Sequence, residues 1–366
     1  MRTIVLSAGG TGGHLFPAQA LAEELVRRGA HIVVMTDGRG ANFTRAFPGA
    51  QIETVPAATF ADKGFALRIL AAIEIAIGTI AAGLKLARIK PAAVIGFGGY
   101  PSLPVMLAAS FARLPTAILE QNTVLGRVNR LVANRVRVVA SAFPIARYAP
   151  RDTSKIVMTG NPVRPEVVEA ANTPYETPTD EGPLHVLIFG GSQGARAMSE
   201  VVPQAIALLS GDLRSRLHVV QQCRPEDLDK ARAIYAAAKI PAELEAFFAD
   251  LPQRIAAAHL VIARSGAGTL AELAAIGRPA ILIPLPAATD DHQTPNADVF
   301  ANAGAGWRVP QDQLTPQFLA AMLEQAFALP EDLAKRAAAA RTLARPDAAA
   351  RLADVVESLE NLERAA

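Results

Sequence analysis

The 366-residue chain has a single cysteine, Cys223, which excludes an internal disulfide and a cysteine-clustered metal site and makes a reducing compartment its simplest home. Aromatic residues are only 5% of the chain, and no basic–aromatic interleaving or helical reading module accompanies them, so no nucleic-acid partner is expected. The opening run Met1-Arg2-Thr3-Ile4-Val5-Leu6 leads straight into a glycine loop without a charged and then apolar leader, and no secretion signal is expected. The nearest thing to a membrane segment, residues 69–84, is short of a spanning length and carries Glu74, so it is not expected to be a transmembrane helix. No Gly-Lys-Ser/Thr closes any glycine loop, which excludes a Walker A phosphate site. Asp290 and Asp291 stand together, but no second cluster of carboxylates or histidines joins them at ligand spacing, so neither a metal nor a cofactor is expected.

What is present points to two folded domains. Apolar residues make up 51% and charged ones 19%, enough for two cores in a chain of this length. The net charge of +2 is unevenly spread: residues 1–160 hold 18 Lys/Arg against 8 Asp/Glu, and the remainder 18 against 26. The first half therefore favours an anionic partner such as an acidic membrane surface or a phosphorylated substrate, unless it is simply an arginine-rich solvated face.

Buried-strand patterns at 3–7, 30–36, 93–97, 116–119, 136–140 and 155–158 alternate with helical ones at 16–28, 66–88, 102–112 and 124–134. Residues 161–183 are proline-rich and aperiodic, and read as a linker. The pattern then restarts with a strand at 185–189, a glycine loop and a helix at 197–209. Further strands are expected near 217–221, 260–263 and 280–284, and a final helical pair near 315–328 and 330–360. The expectation is α/β: two Rossmann-like, doubly wound domains of mainly parallel strands, facing each other across a cleft. Their bounds are 1–160 and 184–340, with a terminal helix over 341–366.

The candidate chemistry sits on the turns. Gly9-Gly10-Thr11-Gly12-Gly13-His14 joins a first strand to a first helix, where bare backbone amides can converge on an anion or merely make a tight turn. His14 closes that loop. Histidine titrates near neutrality and can take a proton from a hydroxyl, or serve as a helix cap. Gly190-Gly191-Ser192-Gln193-Gly194 repeats the strand–loop–helix arrangement with an added hydroxyl. Arg264-Ser265-Gly266-Ala267 is a third glycine turn, leading to Glu272, which can accept from a ribose diol or simply favour an early helical turn. Asp291-His292-Gln293 and Asn296 form a polar cluster suited to a hydroxyl-rich ligand. Glu120-Gln121-Asn122 either places an acceptor and assists a base or is a solvated loop. Residues 65–90 are apolar with a basic rim of Lys63, Arg68, Lys85, Arg88 and Lys90, as in a membrane-interface helix or a core crossover helix.

Taken in order with Gly98-Gly99-Tyr100 and Gly160-Asn161-Pro162-Val163-Arg164, these motifs run through nearly the whole chain. The set resembles glycosyltransferase family 28, the bacterial peptidoglycan enzymes that act on undecaprenyl-pyrophosphoryl-MurNAc-pentapeptide. The resemblance implies a GT-B fold and inverting transfer from UDP-GlcNAc to the acceptor's C4 hydroxyl, at the cytoplasmic face of the inner membrane. It implies His14 and Glu120 as catalytic, and Thr11, Gly12, Gly13, Tyr100 and Asn122 on the acceptor side. On the donor side it implies Arg164, Gly191, Ser192, Gln193 and Gly194. It adds Phe248, Ser265, Gly266, Ala267, Glu272, His292, Gln293 and Asn296 to the same side. It further implies a peripheral hold on an anionic membrane, a place in a cell-wall synthesis complex, and a last helix packed back toward the first domain. Leu119 stands where the family has a histidine, a departure that either weakens acceptor placement or leaves more of the work to His14 and Glu120. Another GT-B transferase, a UDP-GlcNAc 2-epimerase, or a non-catalytic nucleotide sensor at the membrane surface is the alternative.

Overall fold

The computed structural model describes residues 2–9, 12–38, 47–58, 65–191 and 195–364, without the side chains of 65–68 and 360–364. It divides into two units, one of Met1–Arg164 with Arg345–Ala366, the other of Pro165–Ala344.

The sheet of unit 1 is built from β1 (Thr3–Ser7), β2 (His31–Thr36), β3 (Gln51–Thr54), β4 (Ala93–Gly96), β5 (Thr116–Glu120), β6 (Val138–Ser141) and β7 (Ile156–Met158). All pairings are parallel and the order is β3-β2-β1-β4-β5-β6-β7. Successive side chains of a strand point to opposite faces, so Ile4 and Leu6 enter one core while Val5 enters another. The first core is covered by α1 (Gly12–Arg27), and the second by α2 (Phe65–Ile89), α3 (Ser102–Phe111) and α4 (Arg127–Val132).

The α1 face is completed by α14 (Ala348–Arg364), which buries Leu352, Val356 and Leu359 beside Leu21 and Leu25 of α1. Charge holds the same joint: Arg2 and Arg28 both donate to Glu357, and Arg28 also to Asp354. The helix expected over 330–360 is in fact two, α13 (Pro330–Thr342) and α14. Pro346 lies between them, and a residue without an N–H and with a fixed φ does not continue a helix.

Unit 2 repeats the plan with β8 (Leu184–Phe189), β9 (Leu217–Gln222), β10 (Ala242–Glu245), β11 (Leu260–Ala263), β12 (Ala280–Leu282) and β13 (Gly306–Arg308), ordered β10-β9-β8-β11-β12-β13 and again parallel. Its helices are α5 (Pro165–Ala170), α6 (Arg196–Ala207), α7 (Gly211–Arg216), α8 (Leu228–Ala237), α9 (Leu251–Ala257), α10 (Ala267–Ile276), α11 (Gln293–Asn302), α12 (Pro316–Phe327) and α13.

The stretch expected as a bare linker, 161–183, is largely folded into this unit. Pro165 starts α5, whose Val167 and Ala170 are buried. Beyond it the carbonyl of Pro174 accepts from Arg278, a guanidinium only 1% exposed, and Tyr175 donates to the carbonyl of His259. Prolines that break periodicity here serve an extended segment whose carbonyls satisfy a buried cation.

Candidate active site

In each sheet the strand order reverses direction at its first strand, between β1 and β4 and between β8 and β11. The helices that follow such neighbours leave on opposite faces, and open α/β sheets bind ligands in the gap that results. In unit 1, α1 leaves toward one core and α3 toward the other. The glycine turns after β1 and β4 meet there.

Gly9 N–H donates to the Gly98 carbonyl at 3.2 Å. Gly98 and Gly99 have φ of 83° and 75°, a region that other residues enter only with strain. Nor is there room for a side chain: a Cβ on Gly99 would lie 3.0 Å from the Cα of Gly9, and one on Gly98 would lie 3.2 Å from Nε2 of His14. The His14 imidazole, half-buried in the first turn of α1, therefore rests against the Gly98–Gly99 backbone. Tyr100 next to them donates its hydroxyl to Oδ2 of Asp37 at 2.5 Å, just past the carboxyl end of β2. Gly12 and Gly13 open the helix beside His14, and Thr11 lies outside the described residues.

Glu120, expected to share proton transfer with His14, occupies a different kind of place. It ends β5 and is 1% exposed. Its Oε1 accepts from the backbone and side-chain amides of Asn122 at 3.0 and 3.2 Å, and its Oε2 accepts from Gly126 N–H and Asn129 Nδ2, both at 2.8 Å. Burial raises its pKa above the ordinary value, and these four donors pull the other way by favouring the anion. With two hydrogen bonds already on each oxygen, no lone pair is left for a substrate proton. The carboxylate closes the 120–126 loop and starts α4, a structural task that the catalytic expectation did not include. Leu119, where the resemblance implied a histidine, is fully buried in the same core as Ile4, Leu6 and Phe97, and its carbonyl accepts from Asn129.

Arg164, expected on the donor side, belongs to unit 1, with its guanidinium 4.4 Å above the ring of Phe16 in α1. Asp37 and Asn129 were not singled out from sequence. A carboxylate immediately after a buried strand, and a buried amide within a short helix, were the available signals.

The gap of unit 2 is built from the turns after β8 and β11. Gly191 has a φ of 83°, and a Cβ there would meet nothing within 4 Å among the described residues. Ser192, Gln193 and Gly194 lie outside the described residues. After β11, Gly266 caps α10 with no side-chain hydrogen bond, and Ala267 begins the helix, with Glu272 half-buried in its second turn. Beneath them several expected ligand contacts turn out to bond one another. Ser265 Oγ donates to the Gln293 carbonyl at 2.8 Å, Asn296 Nδ2 donates to the Ser265 carbonyl at 3.1 Å, and Gln293 Oε1 accepts from Leu285 N–H at 3.0 Å. Ser265 and Asn296 are fully buried, so their position fits a frame that fixes the start of α11 better than a direct contact. Arg264 has the same character, donating to the carbonyls of Ile283 and Pro284 and to Gln311.

His292 is half-buried, with Nδ1 2.8 Å from the Thr289 carbonyl, directly after Asp290 and Asp291, whose φ of 55° and 50° are both left-handed. Strained backbone of this kind persists where the surroundings dictate it and is common at ligand sites. Phe248 is buried with the Arg254 guanidinium 4.3 Å over its ring, whereas its neighbour Phe247, which the sequence reading passed over, is 71% exposed at the mouth of the turn after β10.

Two family models match this chain: the glycosyltransferase family 28 N-terminal domain over residues 4–141 and its C-terminal domain over 185–352. The chain belongs to glycosyltransferase family 28. A relative from Methylobacterium sp. (strain 4-46), named a UDP-N-acetylglucosamine–N-acetylmuramyl-(pentapeptide) pyrophosphoryl-undecaprenol N-acetylglucosamine transferase, is 52% identical, covering 96% of this chain and 95% of its own. One from Paramagnetospirillum magneticum with the same name is 49% identical over 97% and 96%. Among solved structures, MurG of Acinetobacter baumannii superposes with a TM-score of 0.81 at 30% identity, over 98% of this chain and 100% of that one. Two parallel-sheet α/β units are thus the family 28 form of the GT-B architecture.

The family 28 chain also carries an apolar face in unit 1. Helix α2 is 25 residues long, so the described helix, unlike the stretch read from sequence, is long and apolar enough to cross a membrane by length and composition. One side of it is nonetheless committed to the protein: Ala71 is buried, Ile75, Ala82 and Leu86 join the core, and a Cβ on Gly78 would overlap the Pro56 carbonyl. Ile69, Leu70, Ile73, Ile77, Ile80 and Leu84 recur at helical spacing on the other side and are exposed. Arg88 and Lys90 flank it, while Lys85 pairs with Glu53. Lys63 and the Arg68 side chain lie outside the described residues.

Proposed function

We propose that this protein transfers N-acetylglucosamine from UDP-GlcNAc to the C4 hydroxyl of undecaprenyl-pyrophosphoryl-MurNAc-pentapeptide, with unit 1 receiving the acceptor and unit 2 the donor. The observation that carries the reading is 52% identity, over nearly the full length of both chains, to a relative named for this transfer. The geometry supports the chemistry. His14, held by the Gly98–Gly99 backbone, takes the proton as the acceptor O4 forms its bond to the anomeric carbon of GlcNAc. The bond from that carbon to the β-phosphate oxygen breaks on the opposite face, which inverts the centre and releases UDP. The negative charge that grows on the departing diphosphate falls to the amides of the turn after β8, with Glu272 on the ribose and Phe247 and Phe248 at the uracil end.

Because one face of α2 is used by the core, its exposed isoleucine–leucine stripe suits lying in a membrane interface rather than spanning it. The excess of basic residues in the first 160 favours the anionic cytoplasmic leaflet, where the pyrophosphate-linked acceptor resides.

The test is incubation of the purified protein with UDP-GlcNAc, with and without a lipid-linked MurNAc-pentapeptide acceptor. A β-1,4-linked disaccharide lipid and stoichiometric UDP are expected only when the acceptor is present. UDP-ManNAc formed in its absence would assign the protein to the epimerases instead.

A further inference from the structure

In unit 2, β9 lies between β8 and β10, so the last side chain of β9 can reach the turns that leave both neighbours. That side chain is Gln222, 7% exposed. Its Oε1 accepts from Gly190 N–H at 3.1 Å, at the start of the glycine turn, and its Nε2 donates to the Ala246 carbonyl at 3.1 Å, one residue before Phe247. The preceding residue, Gln221, points to the other face, where it accepts from Tyr235 and donates to the Met198 carbonyl, so β9 is held from below as well.

An amide is the side chain that can make both contacts. One end must accept and the other must donate, which a carboxylate or an aliphatic group of similar size cannot do. The Gly190 contact also fixes what that peptide does: its N–H is directed to Gln222, and the chain turns left-handed at Gly191 immediately afterwards.

We infer that Gln222 is a positioning residue that couples the diphosphate end of the donor site to its nucleobase end, by holding the Gly190 turn and the 246–248 turn at a set separation. It reaches the ligand only through the two backbones it joins. The inference rests on the reading of unit 2 as the UDP-sugar unit.

Calorimetric titration of the full chain with uridine, UMP and UDP tests it, using Gln222→Met, which makes neither contact, and Gln222→Glu, which keeps the acceptor for Gly190 but faces the Ala246 carbonyl with an oxygen. In Gln222→Met the UDP affinity is expected to fall about tenfold and that of uridine about threefold, so that the gain from adding the phosphates shrinks. In Gln222→Glu uridine is expected to weaken about threefold as in Gln222→Met, while UDP weakens further because the new carboxylate repels the diphosphate, a part of the loss that rising salt relieves. Steady-state turnover of Gln222→Met is expected to show a KM for UDP-GlcNAc raised about tenfold with kcat within about twofold, as for lost ground-state binding. Equal losses of uridine and UDP in Gln222→Met, or no loss in either variant, would overturn the coupling and leave the donor reading standing. A wild-type protein that binds no UDP would remove the donor reading itself, and the coupling with it.

Discussion

At the switch point of unit 1 the glycine turns are stitched to each other and to their surroundings: Gly9 to Gly98, the Gln121 amide to the Phe97 carbonyl, Thr36 to the Ala8 carbonyl, Tyr100 to Asp37. At the switch point of unit 2 the stitching lies one layer deeper, in Gln222, Ser265 and Asn296, and the glycines above it stand over open space at Gly191 and Gly268. The same topology is thus used for two purposes. In unit 1 the glycines bring backbones into contact around His14, as the base proposed above would need. In unit 2 they leave the described backbone unobstructed, as the proposed phosphate cradle would need.

The comparison breaks most directly at His14. His14→Ala is expected to lower kcat by about 10²–10⁴ while leaving UDP affinity and melting temperature near wild type, because the ring leans on unit 1 without filling its core. Residual activity above a tenth would put the base elsewhere.

Glu120→Gln separates the stitching from the chemistry. The amide can accept at only one of its two ends, so two buried N–H donors lose their partner, at a cost of about 2–4 kcal/mol and a drop in melting temperature of roughly 5–10 °C. Activity should fall with stability. A variant as stable as wild type with a shifted pH–rate profile would restore Glu120 as a proton carrier.

These two residues also mark how far the sequence was legible. The strand–glycine–helix repeats and the buried strands could be read because β-branched runs between helical periods have few other solutions. Three of the four rim strands, β3 with Gln51-Ile52-Glu53-Thr54, β10 with Ala242-Glu243-Leu244-Glu245, and β13, could not, since an edge strand needs little apolar character, whereas the fourth, β7 with Ile156-Val157-Met158, is apolar enough to be read. Glu120 was legible as a site residue but not in its role, because burial and four converging donors come from residues 122, 126 and 129 in a loop whose shape no pattern encodes. For Ser265 and Asn296 membership of a polar cluster was likewise legible but their mutual bonding was not, since motif position says that a residue belongs to a site, not what it touches.

The exposed apolar stripe of α2 sharpens the asymmetry between the units. Ile73→Glu with Ile77→Glu changes exposed positions only, so the fold should persist. Anionic vesicle binding should nevertheless fall more than tenfold, each half-exposed isoleucine contributing about 1 kcal/mol on insertion. Binding that survives the pair, or ignores anionic lipid content, would detach α2 from the membrane.

A matched pair of glycine substitutions tests the two uses of glycine. Gly99→Ala meets both a left-handed φ and the Gly9 backbone at 3.0 Å, whereas Gly191→Ala meets the left-handed φ alone. Strain by itself costs about 1–2 kcal/mol, so Gly191→Ala should cost about that in thermal unfolding and Gly99→Ala at least twice as much. Equal costs would mean that the turns of unit 1 are no more tightly closed than those of unit 2.

The smallest effect concerns acid. In unit 2 the pKa of His259 is lowered to about 4, by burial first and then by the charges of His185 and Arg278, and its Nδ1 accepts from His185 N–H, a bond that protonation would break. In the unfolded chain the same ring takes its proton near pH 6.5, so the unfolded state binds the proton first and unit 2 loses stability as pH falls from about 6.5 toward 4. In unit 1 the shifted carboxylates of the α14 joint behave otherwise. Glu357 is held below its ordinary value by Arg2, and Glu24 by Arg27, so their contribution is intact above pH 4.5 and is lost only as pH falls through their lowered values. Calorimetric melting at pH 7.5 and pH 5.0 should therefore show the transition of unit 2 moving down while that of unit 1 holds. His259→Gln keeps an acceptor for His185 and removes one titration, so it should reduce the shift of unit 2, the remainder falling to His185, whose pKa burial also lowers. An unchanged shift in that variant would assign the acid sensitivity to another group.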